Sequence, residues 1–119
     1  MKKIFYRKLI RDNIPTIIKA GGSRCSVRIL PAKSFERELI KKVGEEASGM
    51  LAARSRTELI AELADVVDVL EEIKRVKKIS GREVSVARRA NSKRKGGFKK
   101  RLFLVWSSND RYRSNERRA

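Results

Sequence analysis

The sequence predicts a small all-α domain. Three observations point there: 38% of the 119 residues are charged while only 6% are aromatic, apolar residues recur every three or four positions from Ser34 to about Ala53, and the same spacing returns from Thr57 to Ile79. Such spacing lays one apolar stripe along each of two long helices.

The elements follow in chain order. Pro15 suits a first helical position, Asp12 or Asn13 is a candidate cap, and Gly21-Gly22 supplies a left-handed end, so a short helix is expected around residues 16–20. Cys25, Val27 and Ile29 then alternate with Ser26 and Arg28, the pattern of a half-buried strand that Pro31 stops. The first long helix carries Phe35, Leu39, Val43, Ala47 and Met50 on its stripe. The second, with Thr57 as its expected N-cap, carries Leu59, Leu63, Val66, Leu70 and Ile73. Ser80 and Glu83 have capping-box spacing, which starts a third, weaker helix at Gly81 or Arg82 that runs to about Lys93. Gly96-Gly97 breaks it, and Leu102 to Trp106 reads as a short buried strand. Residues 107–119 form a basic tail, expected to be disordered, beyond a domain spanning residues 1–106.

Composition removes whole classes of chemistry. With no histidine and one cysteine, Cys25, the chain lacks Ser/His/Asp and Cys/His relays, His-ligated zinc and an internal disulfide. Carboxylates and cations must do any catalytic work. No apolar run is long enough for a membrane span or a signal core, so a cytoplasmic protein without a membrane partner is expected. The net charge of +17 suggests nucleic acid, yet it is unevenly spread: residues 34–79 hold ten of the fourteen acids, whereas residues 80–119 hold thirteen basic side chains and three acids.

The acids fall in informative places. At about 100° per residue, Glu46 lies within the stripe of Phe35, Leu39, Val43 and Met50. Glu62 precedes Val66, Val69 and Ile73 at helical spacings, and Asp65 follows it by one turn on the same edge. An unpaired buried carboxylate costs several kcal/mol, roughly, so protonation, a basic partner or a bound cation must compensate. Interhelical salt bridges and a solvated rim are the plain alternatives to a metal. However, no Lys or Arg lies between Thr57 and Ile73 to serve as a partner within that helix.

Glu45-Glu46, followed by Glu62-Leu63-Ala64-Asp65, resembles the EExxE…ExxD signature of the MazG-like nucleoside triphosphate pyrophosphohydrolases. Tyr6-Arg7-Lys8-Leu9-Ile10-Arg11-Asp12-Asn13-Ile14-Pro15 is similar to the YxKLxRDKIP opening of a branch related to phosphoribosyl-ATP pyrophosphohydrolases, and Lys95-Gly96-Gly97-Phe98 is similar to its RGGF. The resemblance spans residues 6–105. It implies a MazG-like helical bundle with antiparallel long helices, a short two-stranded sheet from residues 24–30 and 101–106, and a dimer or larger homo-oligomer. It also implies a Mg²⁺-dependent hydrolase, Mn²⁺ serving as a substitute, that splits a nucleoside triphosphate between its α and β phosphates. Carried over by position, Glu46, Glu62 and Asp65 would ligate the metal, and Glu45 would join them or orient the attacking water. Lys8, Arg11, Lys93 and Lys95 would contact phosphate oxygens.

Two positions depart from the pattern. Gly49 stands where the third glutamate of EExxE belongs, and Asn13 replaces the usual lysine. The first leaves the expected site one carboxylate short. The rival expectation is therefore a catalytically impaired MazG-like homologue that binds nucleic acid through its basic C-terminal segment.

Overall fold

The computed structural model describes residues 2–108. Among them are four helices, α1 (Ile14–Ala20), α2 (Ala32–Ala52), α3 (Arg56–Lys77) and α4 (Gly81–Lys95). No helix in this range is long and apolar enough to cross a membrane.

Local chemistry accounts for most helix ends. Pro15 sits in the first turn of α1 as expected, but Asn13 adopts helical angles and its side chain forms no cap bond. The left-handed residue after α1 is Gly22, at φ 87°, rather than Gly21. The start of α3 lies slightly earlier than Thr57, because Ser55 accepts from the Glu58 amide at 3.1 Å. The reciprocal capping box is present on α4: the Glu83 amide donates to Ser80 Oγ at 3.0 Å, and the Ser80 amide donates to Glu83 Oε1 at 2.9 Å.

The chain divides into two compact units, the first ending at Val84 and the second beginning at Ser85, with the boundary inside α4. In the first, α2 packs against α3. Glu36, early in α2, pairs with Lys77, late in α3, while Gly49 faces Glu62. The pairing is thus antiparallel, as a three-residue connection between the helices requires. Leu39 is the one buried hydrophobic residue among those described.

No strand is present among the described residues, so the short sheet expected from residues 24–30 and 101–106 is not seen there. Alternation chooses which side chains share a face, but a strand also needs a hydrogen-bonded neighbour. The expected basic tail lies outside the described residues from position 109 onward.

Candidate metal centre

The antiparallel register brings the middle of α2 opposite the first half of α3. Glu46 projects from α2, and Glu62 and Asp65 project from successive turns of α3. One oxygen from each lies within 4.8 Å of the others. All three are half-buried. The set is made wholly of hard oxygen donors, the chemistry that Mg²⁺ and Mn²⁺ prefer. Adjacent ligand oxygens around Mg²⁺ stand about 3 Å apart, given bonds of roughly 2.1 Å, so modest side-chain rotation would close the set around one ion.

Two cations border the cluster. Lys42 Nζ reaches Glu45 Oε2 at 3.0 Å and Glu46 Oε1 at 3.8 Å, and donates to the Leu9 carbonyl at 3.0 Å. Arg11 Nη2 lies 2.8 Å from Asp65 Oδ1 and 2.8 Å from Asp68 Oδ2. Five carboxylates therefore gather around two cations, leaving three negative charges in excess when all are ionised. Glu62 has no cationic partner among the described residues.

The electrostatic cost falls on Glu46, whose side chain is 17% exposed. Burial raises its pKa above the ordinary carboxylate value, and the charges of Asp65 and Glu62 raise it further against the opposing pull of Lys42. A hydrogen bond with Glu62 favours the protonated form as well. Arg11 responds in the other sense: Asp68 and then Asp65 strengthen its hold on its proton.

Gly49 acquires a physical meaning here. A Cβ built on it would lie 2.7 Å from the Glu62 carboxyl carbon and 3.1 Å from Oε1. The Glu62 carboxylate thus occupies the space that any side chain at position 49 would need. A cavity of about 230 Å³ adjoins this contact, lined by Gly49, Ala52, Ala53, Glu58, Ala61 and Glu62.

The remaining sequence-derived candidates are placed as follows. Glu45 is beside Lys42, and its carboxylate is not one of the converging three. Lys8 Nζ lies over the Tyr6 ring, 5.7 Å from its centroid. Lys93 and Lys95 are exposed in the last turn of α4, in the second unit. Sequence reasoning missed Lys42 and Asp68. Both left a signal: Lys42 precedes Glu45 and Glu46 by three and four residues, and Asp68 extends the three-residue step from Glu62 to Asp65.

Comparison with known proteins adds no relative: no family model matches the sequence, and no curated protein or solved structure matches it.

Proposed function

We propose that Glu46, Glu62 and Asp65 hold a divalent cation, Mg²⁺ or Mn²⁺, and that the chain hydrolyses nucleoside triphosphates to the monophosphate and pyrophosphate. The observation that carries this reading is the convergence of three carboxylate oxygens, from two helices, within 4.8 Å. Salt bridging alone does not account for it, because Lys42 and Arg11 leave the cluster with excess negative charge and, among the described residues, no cation pairs with Glu62. The MazG-like order of the acidic motifs supports the choice of substrate.

A divalent cation bound there would supply neutralisation of phosphate charge and a lowered pKa for a water molecule. The chain's own groups would do the rest. Attack by water oxygen on the α phosphorus breaks the α–β anhydride bond, pyrophosphate leaves with the bonding electrons, and the water proton passes to a carboxylate of the cluster. Glu45, paired with Lys42 and outside the converging three, is the carboxylate left to orient the water and take that proton, while Glu46 holds the cation. Lys8 and Arg11 belong to the segment that reaches the site, and are offered to phosphate oxygens there.

A homo-oligomer belongs to the same reading. Leu59, Leu63 and Leu70 follow one another along α3 yet remain 39%, 44% and 44% exposed, and Leu39 is the one buried hydrophobic residue among those described. A second copy would cover that face and give the hairpin the core that one chain lacks. The cavity beside Glu62 also falls below the roughly 300 Å³ of a typical small-ligand pocket, so a whole nucleotide needs further walls. Light scattering checks this directly: a mass near 13.6 kDa means a monomer and rejects the oligomer.

The decisive assay measures pyrophosphate release from a panel of nucleoside triphosphates with Mg²⁺, using the wild type and Glu62→Gln. Metal-dependent release that the variant loses supports the enzyme. Release that survives the substitution rejects the site.

One observation favours a second reading, nucleic-acid binding. Residues 85–108 contain eight Lys or Arg and no acid, and none of the eight forms an ion pair among the described residues. Phe98 and Trp106 in the same stretch are 98% and 78% exposed. Salt-sensitive polynucleotide binding without turnover would favour this reading over the hydrolase.

A further inference from the structure

Arg11 holds an unusual position for a residue expected to touch substrate. It lies in the irregular segment before α1, and its guanidinium spans two acids on consecutive turns of α3, Asp65 Oδ1 and Asp68 Oδ2, each at 2.8 Å. Asp65 is also one of the three converging carboxylates. The same side chain thus supplies positive charge to a group that the cation must claim. Arg11 remains 59% exposed, so nothing packed around it prevents it from leaving. Its segment keeps an independent anchor, the Lys42 bond to the Leu9 carbonyl.

We propose that Arg11 is an exchangeable counterion of the metal site. Without a divalent cation it neutralises Asp65. When the cation takes Asp65, the guanidinium gives up that contact while remaining near Asp68, and its freed N–H donors turn to the phosphate oxygens of the incoming anion. This regulation rests on the metal reading above and adds a consequence to it: one residue should oppose metal binding and favour phosphate binding. A simple substrate-contacting arginine would affect only the second. An arginine that merely positions Asp65 would favour the metal when present, the reverse of the expected sign.

The test uses two probes on the full chain, Mn²⁺ alone, followed by its paramagnetic resonance, and inorganic pyrophosphate at saturating Mn²⁺, followed by calorimetry. Arg11→Gln is expected to tighten Mn²⁺ by about threefold or more, since it removes a competing charge in direct contact with a ligand. The same variant should weaken pyrophosphate by about fivefold or more, the loss of a charge-assisted contact. Arg11→Lys keeps the charge and, because Nη2 alone makes both aspartate contacts, a single Nζ can replace it, so this variant should stay within about twofold of wild type for Mn²⁺. Arg7→Gln controls for charge at a distance, because Arg7 lies over the Phe5 ring in the same segment, and it should change Mn²⁺ affinity less than about twofold. Circular dichroism checks that each variant keeps its helices. If Mn²⁺ binding is lost in Glu62→Gln but is unchanged or weakened in Arg11→Gln, the metal site stands and the counterion role is overturned. Absence of Mn²⁺ binding in both wild type and Arg11→Gln overturns both.

Discussion

The α2–α3 hairpin treats its acids in two opposite ways. Near the start of α2 and the end of α3, each acid meets a cation: Glu36 pairs with Lys77 at 3.0 Å, Glu71 with Lys74 at 3.0 Å, and Glu72 with Arg75. About two turns away, Glu46, Glu62 and Asp65 converge on one another, and the raised pKa of Glu46 registers the strain. The paired end is what ordinary surface electrostatics produces, worth little per contact. The converging end holds like charges together without a matching number of cations, so it costs stability instead of adding to it.

That contrast is sharpest for Glu62. Replacing it with Gln keeps the shape but removes the one charge of the three that no described cation pairs with, and Mn²⁺ affinity should fall by about tenfold or more, with metal-dependent pyrophosphate release falling to background. Titration and the release assay on one preparation check both.

Gly49→Ala should separate fold from site. Alanine favours the helix by about 0.5–1 kcal/mol over glycine, yet its Cβ forces the Glu62 carboxylate to swing away. The end of a flexible side chain moves cheaply. We expect a higher melting temperature together with weaker Mn²⁺ binding; unchanged binding would show that Glu62 does not ligate from its observed position. Gly49→Glu presents the same conflict, because the Glu62 carboxylate lies where its Cβ would go.

Proton linkage distinguishes the two ends as well. Glu46 has a raised folded-state pKa, so the folded state holds its proton more tightly than the unfolded chain does. Stability is therefore lost as pH rises from the ordinary value of 4.5 through the raised one. Glu46→Gln should melt higher than wild type at neutral pH, and the advantage should vanish below pH 4.5. Glu72, lowered by its hydrogen bond to Arg75, has the opposite sign: its contribution is present above the ordinary pKa and fades as pH falls. Melting curves across pH 3.5 to 8, roughly, test both signs.

The smallest effect belongs to the paired end. Glu36→Gln breaks an exposed bridge and should cost no more than about 1 kcal/mol in chemical denaturation, with Mn²⁺ affinity unchanged. A loss of metal binding there would erase the distinction between the ends.

Much of this hairpin was legible because its causes are local. The stripes of Phe35 to Met50 and Leu59 to Ile73, and the capping box of Ser80 and Glu83, depend on neighbours within a few turns. The convergence of Glu46, Glu62 and Asp65 was legible in part, since helical projection placed all three on inward edges. The alternation of residues 24–30 misled for the opposite reason. It is a local pattern, whereas a strand is a relation between segments.

Residue order alone therefore specified the helices, their breaks and the faces on which the acids lie, because those follow from backbone periodicity and from side chains within hydrogen-bonding reach along the chain. Only the packed molecule decided that Arg11 would span Asp65 and Asp68, and that Glu62 would fill the space beside Gly49. Those contacts join positions 54 and 13 residues apart for Arg11–Asp65 and Gly49–Glu62. Their existence depends on the register of α2 against α3 and the path of the N-terminal segment, which no local propensity contains.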